Sequence, residues 1–383
     1  MTRSIETLRQ TEFAALDGAG IFLNSASIGP MPASALAVLQ RANADRAAPI
    51  DWPMARLDRI LGGGRSRAAR LIGAAPGSIA LMPNTTTGIN IAAHALDLGA
   101  GDVVLTFDRE FPTNVYPWLA LGRHKGVVLE RIPVTSEGWP DEARLHARLA
   151  DPGVRAVCVS LTQFSTGYTL DLALLSRLTR LHGVMLIVDA IQAVGQLPVD
   201  VSRTPVDFLA CGAQKWLLSP WGTGFLYVRP ELIETTYPTF AGWAAFQGTD
   251  DYSQLTSYNP APWPDARRFE LITLPLQDFE AMNASLDLLL AVGADRIAAH
   301  IREISTPIHD WVAAGHGVLT SPVGARGSAI LCVRPGGDVA AAYRRLGAAG
   351  VTCSLREGSI RLSPHLCNTR DEVERVVELL GTG

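Results

Sequence analysis

The sequence predicts an α/β protein, and three observations carry the prediction. Short runs rich in Val, Leu and Ile alternate with segments of helical periodicity through the first two thirds of the chain. The runs are apolar on both faces, as strands are when helices cover both sides of a mostly parallel sheet. At 383 residues and 48% hydrophobic content, the chain can bury a large core, with room for one large and one small domain.

Taken in order, Met1 to Phe13 is polar and lacks the apolar centre of a signal peptide. The glycine run Gly62-Gly63-Gly64 precedes no strand-to-helix phosphate turn and reads as a flexible turn within or beside helices. Seven strands are expected at Ile79–Met82, Val103–Phe107, Val127–Ile132, Ala156–Leu161, Val184–Val188, Phe208–Cys211 and Gly224–Val228. Amphipathic segments at Thr87–Leu98, Val115–Gly122 and Leu172–Leu181 supply covering helices. Tyr237 to Arg267 is rich in Trp, Pro and Gly, and a loop that long is more often functional or interfacial than idle. A helix over Leu274–Val292 leads to strands at Ala329–Val333, Gly350–Ser354 and Ser359–Leu362 and a closing helix at Arg370–Leu380, the pattern of a small α+β unit. The division is an N-terminal segment (1–24), a large domain (25–279) and a small C-terminal domain (280–383).

Composition narrows the function. A net charge of −4 gives no electrostatic reason for nucleic acid or an anionic membrane as partner, and no stretch has the length of a membrane-spanning helix. Five cysteines, an odd number without a CxxC, read as reduced thiols in a cytoplasmic protein. The eight histidines lack the paired spacing of a zinc site, so no metal is expected.

Only two of the 33 basic side chains are lysine, Lys125 and Lys215. Arginine stays protonated, whereas a desolvated lysine amine can lose its proton and attack a carbonyl. Lys125 sits in Gly122-Arg123-His124-Lys125-Gly126, a solvated helix-to-strand turn. Lys215 directly follows the apolar run Phe208–Cys211, which makes it the candidate Schiff-base lysine.

Three further features surround it, each with a plainer alternative. Pro83-Asn84-Thr85-Thr86-Thr87-Gly88 follows a strand and opens a helix, which can cradle a phosphate or simply cap the helix. Asp189 closes the buried run Val184–Val188 at the edge where open α/β sheets bind ligands. It needs a partner, such as a protonated ring nitrogen, unless it caps the next turn; Gln192 follows within reach of a ring oxygen. Phe111, in the loop Glu110–Trp118, can stack on a planar ring or belong to the core. A phosphate cradle, an acid for a ring nitrogen and a lysine for an aldehyde, in this order, are what pyridoxal phosphate requires.

Order and content also resemble the class V aminotransferase family, which includes cysteine desulfurases, kynureninase and isopenicillin N epimerase-like proteins. The likeness runs from Phe22-Leu23-Asn24 to Asn368-Thr369-Arg370-Asp371-Glu372, and its specific part is Asp189-Ala190-Ile191-Gln192 followed by Gln214-Lys215-Trp216 and Gly222-Thr223-Gly224. It implies a fold type I transferase with a mostly parallel seven-stranded sheet, in which Lys215 holds the cofactor aldehyde, Asp189 the ring nitrogen and Gln192 the ring oxygen. It further implies that Thr85 and Thr86 bind the phosphate, that Phe111 stacks where many relatives have His, and that Gln214 stands at the cofactor where His is usual. The stretch Arg268-Phe269-Glu270-Leu271-Ile272-Thr273 implies that Thr273 reaches the phosphate of a neighbouring subunit, hence a homodimer with shared active sites. Arg361 is similar to the family's grip on a substrate α-carboxylate, with Arg356 a second candidate and Asn24 in a loop facing the substrate. Side-chain selectivity is expected from the Asn24–Ser27 loop and from the Trp-rich segment.

The departures are specific. Gly212 stands where relatives carry a phosphate-binding serine, and the loop that carries the persulfide cysteine in one desulfurase branch is absent; Cys353 and Cys367 do not follow it. The leading expectation is an amino-acid aminotransferase. A lyase or epimerase, including carbon–sulfur cleavage, is the alternative, and a cofactor-binding protein without turnover the third.

Overall fold

A computed structural model describes residues 4–49, 54–271 and 273–381; the first three residues of the N-terminal segment and Ile272 of the Arg268–Thr273 stretch lie outside it. Its strands are β1 (Ile21–Phe22), β2 (Ile79–Leu81), β3 (Val103–Phe107), β4 (Val128–Ile132), β5 (Val154–Ser160), β6 (Met185–Asp189), β7 (Phe208–Gly212), β8 (Gly224–Val228), β9 (Gly317–Leu319), β10 (Leu331–Pro335), β11 (Val351–Thr352), β12 (Ser354–Arg356) and β13 (Ser359–Leu362). The seven apolar runs become one sheet, ordered β2-β8-β7-β6-β5-β3-β4. Pairing from β4 through β7 is parallel, while β8 runs antiparallel to both its neighbours. Alternate residues of one strand enter opposite cores. Val157, Val159, Leu186 and Val188 face one cluster, Cys158 and Ile187 the other, so both faces must be apolar.

The helix Thr85–Ala95 begins two residues before its apolar periodicity does, because Asn84 Oδ1 accepts the Thr87 N–H and caps it. Gly88 lets this helix touch the sheet: a Cβ there would stand 2.9 Å from the Ala210 Cβ of β7. Lys125 ends the helix Tyr116–Lys125, which Gly126 stops in the left-handed conformation, and its side chain is exposed as expected.

The run Gly62–Gly64 is a correction. It lies inside the continuous helix Met54–Leu71 rather than in a turn. A Cβ on Gly64 would stand 3.4 Å from Asn283 Oδ1 and from Leu81, so small residues let this helix close on β2 and on the helix Leu276–Val292. Packing outweighs the roughly 1 kcal/mol per residue by which glycine disfavours helix.

A four-stranded antiparallel sheet, ordered β12-β13-β10-β9, forms the second unit. The single strand expected over Gly350–Ser354 is two pieces, split at Cys353: β11 pairs in parallel with β1, and β12 pairs with β13. The start of the chain is thereby tied to its end. Leu23 is buried with Leu331, Val333 and Leu362, and Asn368 Nδ2 donates to Phe22 O at 2.8 Å and to Glu372 Oε2 at 2.9 Å. Thr369 and Glu372 hold each other's backbone N–H in a capping box at the closing helix Arg370–Gly381. The sequence division near residue 280 falls within the helix Leu276–Val292, which packs on the helices Ala33–Ala47 and Met54–Leu71.

Among the described residues no helix is long and apolar enough to cross a membrane. The close approach at Gly88 yields a prediction: Gly88→Ala should cost about 1–3 kcal/mol in chemical denaturation through overpacking against β7. An unchanged midpoint and slope would show that the helix has room to move.

Candidate active site

Three chain segments end together at the carboxyl edge of the parallel strands, where such sheets bind ligands. Asp189 is the last residue of β6 and Gly212 the last of β7. The helix Thr85–Ala95 meets them with its N-terminus, where Thr85 Oγ1 accepts the Gly212 N–H at 2.9 Å. Lys215 follows in a loop bolted at several points. Gly29 N donates to Gln214 O at 2.9 Å, and His365 Nε2 lies 3.0 Å from Trp216 O. The fully buried Trp216 donates its indole N–H to Gln192 Oε1 at 2.7 Å. His365 Nδ1 accepts the Leu366 N–H, so Nε2 carries the proton given to Trp216 O; burial lowers this imidazole's pKa to about 4 and keeps it neutral.

A cavity of about 320 Å³ gathers most of the residues singled out in the sequence: Thr85, Thr86, Phe111, Asp189, Gln192, Gln214, Lys215, Arg356 and Arg361. Asp189 is 2% exposed, and burial pushes its carboxyl up to about 6 although the Ile191 N–H and the Lys215 charge pull it down. Burial also brings the Lys215 ammonium down to about 8, with Asp189 opposing. Both groups are therefore held where charge is expensive and a ligand can redistribute it. The Lys215 Nζ lies 5.6 Å from the centre of the Phe111 ring. That ring is 41% exposed at the cavity and meets Phe164 edge-on at 5.3 Å, so it is a wall of the site rather than core.

Arg361 is buried, and burial first, then the charge of Arg356, lowers its guanidinium to about 10. Its Nη1 donates to Phe164 O at 2.7 Å and its Nη2 to Ser27 Oγ at 2.6 Å, while its Nε meets no acceptor. Asn24 does not line the cavity. It stands behind Ser27, accepting hydroxyl hydrogens from Ser27 and Ser354, each at 2.8 Å. Thr273 also lies elsewhere, exposed in a second cavity with Arg65, Trp243, Tyr252 and Trp263. None of the residues 237–267 lines the Lys215 cavity of its own chain. That segment is pinned elsewhere: Arg268 donates to the carbonyls of Trp263, Ile233 and Thr236, and Glu270 grips Arg65 through two hydrogen bonds while accepting the Leu81 N–H.

A buried network behind Asp189 escaped the sequence reading. Glu110 accepts from Ser160 N at 2.9 Å, Ser160 Oγ at 2.6 Å, Gln163 Nε2 at 2.8 Å and Asn114 Nδ2 at 3.0 Å, and Asn114 reaches Asp189 Oδ2 at 3.5 Å. The one available clue was a glutamate and an asparagine flanking Phe111-Pro112-Thr113, which by itself reads as loop polarity. Trp221, 65% exposed at the cavity, was missed likewise.

The donor set fits pyridoxal phosphate. An amine of lowered proton affinity suits its aldehyde, a buried acid its ring nitrogen and an exposed aromatic face its ring. The helix N-terminus with Thr85 and Thr86 suits its phosphate. Gly212 keeps that cradle open, since a Cβ there would come 2.7 Å from Gln214 Oε1 and 3.2 Å from Thr85 Oγ1. Gln192 Nε2 spends one hydrogen on Ala26 O at 3.0 Å and has a second to give.

Comparison with known proteins agrees. The family model described as Aminotransferase class-V matches residues 38–376. The chain is 30% identical over 378 residues to isopenicillin N epimerase of Streptomyces clavuligerus, covering 95% of each protein. It is 29% identical over 317 residues to the uncharacterized aminotransferase YcbU of Bacillus subtilis (strain 168), covering 82% of this chain and 81% of that one. The structure of C-DES with glycine covalently linked to its PLP cofactor has the same fold, with a TM-score of 0.87 at 23% identity over 97% of this chain and 98% of that one. The chain belongs to the class V aminotransferase family of pyridoxal-phosphate enzymes.

Proposed function

We propose that this enzyme is an amino-acid aminotransferase in which Lys215 is the amine that holds the cofactor aldehyde and moves the proton at the substrate Cα. The observation that carries the reading is one cavity holding an amine lowered to about 8, a buried acid and a buried guanidinium without an acidic partner. Pyridoxal phosphate, when bound, supplies an aldehyde for an amine and a conjugated ring that takes up the electron pair released at the substrate Cα.

The residues divide the remaining work. Lys215 would be the resting amine partner of the aldehyde, and its Nζ, once free, would serve as the base that takes the substrate Cα proton and as the acid that gives it back. Asp189 would keep a proton on the ring nitrogen. Gln192 Nε2 would donate to the ring oxygen, and Phe111 would lie against the ring. Thr85, Thr86 and the free N–H groups at their helix end hold the phosphate, with Gln214 beside them. Arg361 fixes the α-carboxylate so that the Cα–H bond stays within reach of Nζ.

The thiols support transamination over persulfide chemistry. All five cysteines are buried and free, and burial pushes Cys353 up to about 12, far from the low-pKa exposed thiolate that sulfur transfer needs. The near full-length likeness to an epimerase favours a second reading, in which the proton returns to the other face of Cα. The buried, reduced thiols also support a cytoplasmic enzyme. A homodimer with shared sites is supported by Thr273, exposed in a cavity beside Trp243 and Tyr252 rather than in its own chain's site. Binding without turnover fits poorly with an amine so lowered in proton affinity.

Three measurements test these assignments. Amino acids added to the holoenzyme should convert its absorbance to that of the pyridoxamine form, with recovery on adding a 2-oxo acid. Inversion at Cα without that form would establish the epimerase reading, and release of sulfide, pyruvate or alanine a lyase. In the cofactor-free protein, uptake into a borohydride-reducible adduct should rise with pH around a midpoint near 8, the lowered value of Lys215. Labelling that persists in Lys215→Ala, or a midpoint near the ordinary lysine value of 10.5, contradicts the assignment. The cofactor-free fold also carries a cost at Asp189. With its carboxyl raised from 3.8 to about 6, the native state binds the extra proton, so stability falls as pH rises through that window and stays reduced at neutrality. Asp189→Asn should therefore stabilise the cofactor-free protein at neutral pH by about 2–3 kcal/mol, converging with the parent at acid pH, while weakening cofactor retention. Equal denaturation midpoints at neutral pH would remove the proposed strain.

A further inference from the structure

The hairpin β12–β13 carries two arginines. Arg361 stands opposite Ser354 and Arg356 opposite Ser359, so strand alternation makes them diagonal neighbours on one face. Both line the Lys215 cavity, Arg361 buried in its wall and Arg356 exposed. Neither has a carboxylate partner among the described residues. Arg361 is met by a hydroxyl and a carbonyl, and Arg356 Nη1 by the carbonyl of Leu355 at 2.9 Å. Their charges work against each other, since Arg356 helps to lower both Arg361 and Lys215. Asp189 is the one acid among the lining residues, and its Oδ1 already accepts the Ile191 N–H at 3.0 Å. Phosphate belongs at Thr85, where the helix end meets β7. An amino acid with a neutral side chain thus brings one carboxylate to two unpaired guanidiniums.

We propose that the substrate carries a second carboxylate on its side chain, held by Arg356 while Arg361 holds the α-carboxylate. This deepens the reading above and rests on Arg361 as the α-carboxylate site. A guanidinium fork at the cavity mouth recognises a carboxylate through paired N–H groups and leaves an apolar side chain unmatched. Its exposure limits the gain, so discrimination of about tenfold is expected rather than the larger factors of a buried pair.

Unreactive acids of equal length separate this inference from the amino-transfer reading. Glutarate and pentanoate are titrated into the holoenzyme in a buffer free of carboxylate and phosphate, followed by the absorbance of the bound cofactor and by thermal melting. Glutarate should bind about tenfold more tightly than pentanoate. Arg356→Gln should abolish that ratio by weakening glutarate alone, Arg356→Lys should keep part of it, and Arg356→Glu should reverse it. Equal binding of the two acids to the parent, or an unchanged ratio in Arg356→Gln, overturns the proposal whether or not amino transfer is observed. Absence of amino transfer with the glutarate preference intact overturns only the reaction type.

Discussion

A carboxylate at the end of a buried strand is the constraint around which this structure is arranged. Asp189 cannot leave its position, because β6 lies in the middle of a parallel sheet with β5 and β7 hydrogen-bonded on either side. Asp189 is almost entirely buried. The surrounding elements answer with partial compensation: the Ile191 N–H, a distant amide of Asn114 and the charge of Lys215. None of these is a full counter-charge, and the acid stays raised. That unfinished electrostatics is what a protonated ring nitrogen would complete in the proposed site, at the expense of stability when no cofactor is present.

Lys215 is placed by the packing of its loop. Trp216, immediately after it, fills a buried slot and ties Gln192 to the same loop, while His365 reaches across from the C-terminal part of the chain to hold the Trp216 carbonyl. The second sheet is thus part of the site. Its hairpin supplies Arg361, the N-terminal segment supplies the Ser27 that orients it, and the parallel pairing of β1 with β11 joins those two segments. Lysine, acid and arginine come from three regions that meet only in the folded chain.

Burial also sets the character of the five thiols. A persulfide carrier must expose a thiolate, and here every thiol is enclosed. Cys332 gives its hydrogen to Ser165 O at 3.0 Å, and Cys353 marks the break where β11 and β12 part to pair with different strands. These thiols behave as small apolar side chains.

The sequence alone determined what depends on local pattern. Seven short apolar runs specified the sheet, and the scarcity of lysine, together with Asp189 at the end of such a run, singled out two residues that meet in one cavity. It misread what depends on contacts between distant segments. Gly62–Gly64 looks like a turn until a neighbouring helix presses against it, and the break at Cys353 exists because residues 21–22 claim half of the expected strand. The network of Glu110 and Asn114 and the place of Asn24 behind Ser27 were likewise settled by tertiary structure. Periodicity encodes which face of an element is buried; it carries no information about which distant element does the burying.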